Sequence, residues 1–255
     1  AATACLYAGG IVLNDVFDRH LDATERPERP IPSGRIPASQ AAGAGAGLLV
    51  IGVAAAATAN LTAALVATAV VAAVLSYDAW AKHHAFLGPV NMGLCRALNL
   101  LLGVAIAPTA VAANWPLALA PLAYIAAVTM VSRGEVHGGR RPVVIAAIVL
   151  LVAVIGSLAV VAATRWRATD GLTPWHAAWA MTLAGWLGWR VLRAFGHAAV
   201  TTASGDIRRA VRVGVLSLVL LDAVIAASYA GIMNSAAVLA TGLLAWSLAR
   251  LFAVT

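Results

Sequence analysis

The sequence predicts an all-α fold, a polytopic bundle of transmembrane helices, and three observations carry that prediction. Hydrophobic residues make up 62% of the 255 residues and charged residues 11%. The mean hydropathy is +0.90, far outside the range of a water-soluble globular domain. Runs of 18 or more residues with few or no charges recur along nearly the whole chain, each long enough at 1.5 Å per residue to cross a hydrocarbon core of about 30 Å. The basic residues, finally, gather in alternate loops.

Residues 1 to 14 form the first apolar run, about 20 Å of helix and too short to span. With no initiator Met and no basic flank before Ala1, the chain is expected to open within a helix, with upstream sequence missing. Full-length runs follow at 41 to 59, 61 to 81, 88 to 107, 116 to 132, 143 to 163, 174 to 195, 210 to 230 and 233 to 253. That makes eight spans and a partial one. The Ala/Gly-rich stretch 42 to 47 suits close approach of helix backbones. No stretch reads as a boundary between folded domains, so 1 to 255 is expected to be one domain. Cys5 and Cys95 lie in apolar runs and suggest neither a disulfide nor a zinc site.

If the spans alternate, one face of the membrane receives Arg19, Arg26, Arg29, Arg35, Lys82, Arg133, Arg140, Arg141, Arg190, Arg193, Arg208, Arg209, Arg212 and Arg250. The other receives Arg165 and Arg167, with Arg96 set aside inside a span. Fourteen against two is a positive-inside signal that makes the first face cytoplasmic. The net charge of +7 and pI near 10.4 follow from this topology and from attraction to anionic lipid heads. Nucleic acid is not expected as a partner, because no loop is long enough to build a basic aromatic surface.

The chemistry sits where the first run ends. In Asn14-Asp-Val-Phe-Asp-Arg-His-Leu-Asp22, positions 14, 18 and 22 recur every fourth residue and are expected on one helical face. Acids stacked so closely repel one another, unless a hard cation such as Mg²⁺ binds their oxygens and shares them with a substrate's phosphates. A solvated polar helix end is the bland alternative. Residues 23 to 40 follow, with four prolines that forbid continuous helix and favour an ordered loop over the helix ends. The loop brings Arg26, Arg29 and Arg35 close to the acids in sequence, and guanidinium forks suit phosphate oxygens. A plain positive-inside anchor would need the charge but not the prolines.

Deeper in the chain, Asn91, Cys95 and Asn99 form an i, i+4, i+8 row beside Arg96. A charge at that depth costs at least about 2.5 kcal/mol unless it faces a partner or a wet cavity. The row therefore points inward, as a cavity lining or as an interhelical hydrogen-bond brace. Asp222 is the other charge within a span and a candidate partner for Arg96.

Asn14-Asp-x-x-Asp-x-x-x-Asp22, followed by Arg29-Pro-Ile-Pro-Ser-Gly-Arg35 and an Ala/Gly-rich span, resembles the first signature of the UbiA superfamily of intramembrane prenyltransferases. The resemblance implies about nine helices around a central cavity open to the cytoplasmic side. It also implies two Asp-rich motifs that bind Mg²⁺ and an isoprenyl diphosphate. Asn14, Asp15, Asp18 and Asp22 would belong to the first motif, and Tyr77 and Lys82, in Tyr77-Asp-Ala-Trp-Ala-Lys82, would approach the diphosphate. A snorkelling lysine with an interfacial aromatic explains that pair as well.

The second motif departs from the family. Where Asp-x-Glu-Gly-Asp is usual, Arg133-Gly-Glu-Val-His-Gly-Gly-Arg140 keeps a single acid, Glu135, with His137 in the Glu position. Three readings compete: an altered prenyltransferase in which Arg133, Arg140 and Arg141 stand in for the second ion, a mixed Asp/Glu/His site for Mn²⁺ or Fe²⁺, or loss of the chemistry. Gly88-Pro-x-Asn-Met-Gly-Leu-Cys-Arg-x-Leu-Asn-Leu-Leu-Leu-Gly103, together with the altered motif, looks like the EboC-like branch, associated with handling or exporting metabolites.

The resemblance thus implies a Mg²⁺-dependent transfer of an isoprenyl group from its diphosphate to a lipid-soluble, aromatic acceptor, in a bacterial cytoplasmic membrane with the first motif at the cytoplasmic side. Asp15, Asp18 and Glu135 are the catalytic candidates, and these three with Asp22 the metal ligands. Asn14, Arg26, Arg29, Arg35, Tyr77, Lys82, Asn91, Arg96, Asn99, Arg133, His137 and Arg140 are the candidate substrate contacts. A non-catalytic carrier of a lipid or metabolite is the rival from another class. A CDP-alcohol phosphotransferase is a third, disfavoured because no glycine follows Asp18 and its second acid pair is missing.

Overall fold

The computed structural model describes residues 1–136, 138–168 and 171–251, and among these every regular element is helical. The chain gathers into two compact units, Ala1–Ala126 and Ala127–Thr255.

The first unit contains α1 (Ala2–Phe17), α2 (Arg19–Glu25), α3 (Ala38–Ala57), α4 (Leu61–Ala79), α5 (Leu87–Val104), α6 (Pro108–Asn114) and the start of α7 (Leu119–Ser132). Tight 3₁₀ turns at Ala81–His83 and Trp115–Ala118 connect α4 to α5 and α6 to α7. The packing of α1 on α3 explains the Ala/Gly-rich run. Leu13 lies over Gly45 and Leu6 over Gly52, an order that makes the helices antiparallel. A Cβ on Gly45 would stand 2.8 Å from Leu13 Cγ, and one on Gly9 would stand 2.9 Å from the Gly45 carbonyl oxygen. Only bare backbone fits there. With no hydrophobic drive between helices in lipid, such close contact is what holds them together.

Asn60 fixes the far end of this unit. Its side-chain oxygen accepts from the Ala63 amide at 2.9 Å, capping α4, while its amide donates to the Ala105 carbonyl at 2.9 Å beyond the end of α5. The backbone groups freed at two helix ends are thus satisfied by one side chain. Leu6, Leu13, Leu49, Ala63, Val70 and Leu102 form the core between them.

The second unit holds the rest of α7, then α8 (Arg141–Arg165), α9 (Pro174–Thr201), α10 (Ser204–Leu216), α11 (Leu218–Ala230) and α12 (Ile232–Leu251). α8 buries Val144, Ala147, Leu151, Val154, Leu158 and Ala162, a stripe at the three- and four-residue spacing of a helix face. α9 starts from a Thr173–His176 capping box and a proline in its first turn, both helix-starting signals. The run expected at 210 to 230 is broken at Ser217, a fully buried residue whose hydroxyl accepts from Arg190 Nε at 3.1 Å.

Six helical segments are long and apolar enough to cross a membrane among the described residues: 38–57, 61–79, 87–104, 108–132, 141–165 and 204–230. Each matches an expected run, and the protein is an integral membrane protein by this measure. The expected run at 116 to 132 begins earlier because Pro108 starts α6, its missing N–H being harmless in a first turn. α9 has the length, but Arg190, Arg193, His176 and His197 lower its hydropathy.

Replacing Gly9 by Val should lower stability by about 1 to 3 kcal/mol through overpacking, whereas Gly43→Ala and Gly47→Ala, with open space around them, should be neutral or slightly stabilising. Thermal unfolding in detergent checks this; equal effects at all three positions would contradict the α1–α3 packing.

Candidate active site

The acids of the first motif sit where the first helix gives way to a second, short one. α1 runs on to Phe17 and α2 begins at Arg19, with Asp18 as the joint. The Asp18 amide donates to the Asn14 carbonyl at 2.9 Å and the Asp22 amide to the Asp18 carbonyl at 2.9 Å, so the helical register passes through the joint. Asp18 stands at the N-cap of α2 without a side-chain hydrogen bond to that helix.

Two cations divide the acids between them. Arg29 Nη1 donates to Asp15 Oδ1 at 3.0 Å and to Asp22 Oδ2 at 2.7 Å. Lys82 Nζ donates to Asp18 Oδ1 at 2.5 Å and to Asn14 Oδ1 at 3.4 Å. The expected single row of 14, 18 and 22 is therefore split. Helical geometry gives the reason: at about 100° per residue, Asp22 lies about 20° around the axis from Asp15 but about 80° from Asn14. Seven residues nearly close two turns, so Asp22 pairs with Asp15. Asp22 is also buried, at 5% exposure, and its carboxylate needs the partner more than Asp15, whose side chain is 41% exposed.

Arg29 reaches back because the proline loop is a chain of turns. The Ser33 amide donates to the Arg29 carbonyl at 3.0 Å, that of Gly34 to Ile31 at 3.1 Å and that of Ile36 to Pro30 at 3.1 Å, with Gly34 at φ +76°, where a side chain would be strained. Desolvation opposes the charge on Arg29, but the hydrogen bond to Asp22 and the attraction of Asp22, Asp15 and Asp18 outweigh it, and its pKa is raised. Arg26 and Arg35 are exposed. Arg35 donates to the Glu28 carbonyl and to Ser33 Oγ, bracing the loop, and the structure gives it no contact with the acids.

At the end of α4, Tyr77 is half-buried and Asp78, which the motif reading passed over, is buried at 4% exposure. Its place four residues before Lys82 at the end of an apolar run is the signal that could have drawn attention to it. In α5, Asn91 donates to Ser76 Oγ at 3.2 Å and accepts from Cys95 Sγ at 3.6 Å, so this part of the polar row ties α5 to α4. Asn99 and Arg96 are half-buried on the same helix. Arg96 belongs to the first unit and Asp222 to the second.

In the second unit, Glu135 follows α7 and borders a hollow of about 300 Å³ with Arg208, Val211, Arg212, Val215 and Leu216. Burial raises its pKa, with Arg208 pulling the other way. Arg133 and Arg140 are exposed. Gly138, at φ +90°, and Gly139 lie against the end of α9, where the Gly139 amide donates to the Thr202 carbonyl at 2.8 Å. His137 lies outside the described residues.

A family model for the UbiA prenyltransferase family matches residues 1–194. The chain belongs to the UbiA prenyltransferase family. Relatives include a digeranylgeranylglyceryl phosphate synthase of Methanopyrus kandleri, 30% identical over 69% of this chain and 66% of the relative. Another, from Sulfurisphaera tokodaii, is 34% identical over 38% of this chain. The chain spans 34% of the length of that relative. A solved structure described as digeranylgeranylglyceryl phosphate synthase shares the fold, with a TM-score of 0.60 at 19% identity, covering 90% of this chain and 82% of the other.

UbiA-family enzymes work with Mg²⁺, and the donors here suit such an ion in kind. All are hard oxygens, and Asp15 and Asp22 already converge on a single positive nitrogen. No group of three or more His, Cys, Asp or Glu side chains is gathered closely enough to hold a metal among the described residues. Any ion here would be completed by oxygens from substrate or water, as Mg²⁺ shared with phosphates is.

Arg29→Ala should lower stability by about 1 to 3 kcal/mol, because it strands the buried Asp22 carboxylate, while Asp15→Asn should change it by less than about 1 kcal/mol. Denaturation in detergent checks the contrast; equal losses would contradict the division of the acids described above.

Proposed function

We propose that this UbiA-family chain transfers an isoprenyl group from an isoprenyl diphosphate to a lipid-like acceptor inside the membrane, with Mg²⁺ at the first motif. The observation that carries the reading is the clasp of Asn14, Asp15, Asp18 and Asp22 on Arg29 and Lys82. These four side chains offer ligands to a divalent ion, and each cation they give up becomes available to a diphosphate. A fork-shaped guanidinium and a mobile ammonium are both suited to phosphate oxygens.

Bound Mg²⁺ would stabilise negative charge building on the leaving diphosphate. The chain's own part is to hold that diphosphate through Arg29 and Lys82 and to exclude water from the allylic carbon within the apolar spans. The allylic C–O bond to diphosphate breaks, a new C–O bond to the acceptor hydroxyl forms, and the hydroxyl proton leaves with the diphosphate. Glu135 is assigned to the same reaction from the family's second motif. The names of the relatives support an acceptor built on glyceryl phosphate, in preference to the aromatic acceptor expected from the sequence. We assign the first motif to the cytoplasmic side from the charge asymmetry of the loops.

One observation favours a second reading, a carrier without chemistry: the altered second motif keeps Glu135 as its single acid, and burial raises the pKa of that acid.

Membranes containing the chain, given labelled geranylgeranyl diphosphate with Mg²⁺, should prenylate geranylgeranylglyceryl phosphate. EDTA should abolish turnover, and Asp18→Ala and Glu135→Ala should each reduce it by about 100-fold or more. Turnover on a phenol instead would replace the acceptor, and binding of diphosphate without turnover on either acceptor would favour the carrier.

A further inference from the structure

Asp22 and Asp78 are the two buried carboxylates among the described residues, and Asp78 lies outside the first motif. It sits in the last turn of α4 at 4% exposure, and its Oδ2 is buried with no hydrogen-bond partner. Lys82 attracts this carboxylate and Asp18 repels it, so all three share one field. A buried carboxylate oxygen left without a donor is destabilising, and its persistence beside the acidic row calls for a role.

Lys82 supplies that role. Its ammonium rests on Asp18 and Asn14, its side chain is only 13% exposed, and it carries three donors on a flexible stem. A divalent ion that takes Asp18 puts a second positive charge where the ammonium now lies, and the two repel at short range. A second carboxylate close to its buried position would offset that repulsion. Asp78 stands four residues earlier, across the break in the helix at Trp80 and within the electrostatic reach of Lys82, with an oxygen to offer.

We propose that Asp78 is a positioning residue that receives Lys82 when Asp18 turns to a divalent cation, holding the ammonium by one donor and leaving the others for the diphosphate. This rests on the reading of the first motif as a cation and diphosphate site. The exchange eases cation binding, because the ammonium displaced from Asp18 gains a second carboxylate in exchange.

The test is Mn²⁺ binding to the full chain in lipid nanodiscs, followed by electron paramagnetic resonance without substrate. Asp78→Asn, which keeps the shape of the side chain, should weaken Mn²⁺ binding by about tenfold. In a Lys82→Met background the same change should matter less than about twofold, because no ammonium remains to be received. Asp78→Glu should restore most of the affinity. Equal weakening in both backgrounds, or none in the native one, would overturn the role of Asp78 alone. Mn²⁺ binding unaffected by Asp18→Asn would overturn the cation site itself, and this proposal with it.

Discussion

Four oxygen-bearing side chains within nine residues cannot sit at the edge of a membrane bundle without counter-charges, and the first unit is organised around supplying them. Arg29 and Lys82 reach the acids from different directions, one from the proline loop and one from the turn after α4. Each does so through backbone built for the purpose. The loop turns back on itself so that Arg29 faces Asp15 and Asp22, and α4 ends at Ala79 so that Lys82 can approach Asp18. Because carboxylates and cations already neutralise one another, binding a metal and a diphosphate amounts to exchanging partners within a charged cluster. New charge need not be buried, and that is the costly step in low dielectric.

The rigidity behind this exchange comes from small residues. Gly9, Gly45 and Gly52 let α1 and α3 touch backbone to backbone, and Asn60 ties α4 to the end of α5 at the opposite end of those helices. Helices fixed in this way hold the acids in register while the side chains alone change partners.

Much of this was legible in the sequence. Hydropathy located four of the six spans to within about three residues, because apolar length is dictated by the bilayer itself, while the segments 108–132 and 204–230 begin eight and six residues before the expected runs. The acids, Arg29 and Lys82 stood out as charges at span ends. What the sequence hid depended on angles and on burial. A four-residue spacing suggested one row of 14, 18 and 22, whereas two nearly whole turns bring 22 to 15. The hydrogen bonds by which Arg35 braces its own loop were not legible from its place in the motif. Asp78 drew no reading of its own between Tyr77 and Lys82, and its burial with an unsatisfied oxygen marks it out. Ser217 breaks a run that looks continuous by hydropathy, because its consequence depends on a buried bond to Arg190.

The most direct test is equilibrium binding of a labelled, non-reactive isoprenyl diphosphate analogue to the chain in nanodiscs, measured across a Mg²⁺ titration. Binding that rises with Mg²⁺ and is lost in both Asp18→Asn and Arg29→Ala is the result this account predicts. Binding that is indifferent to Mg²⁺ and to both substitutions would contradict it.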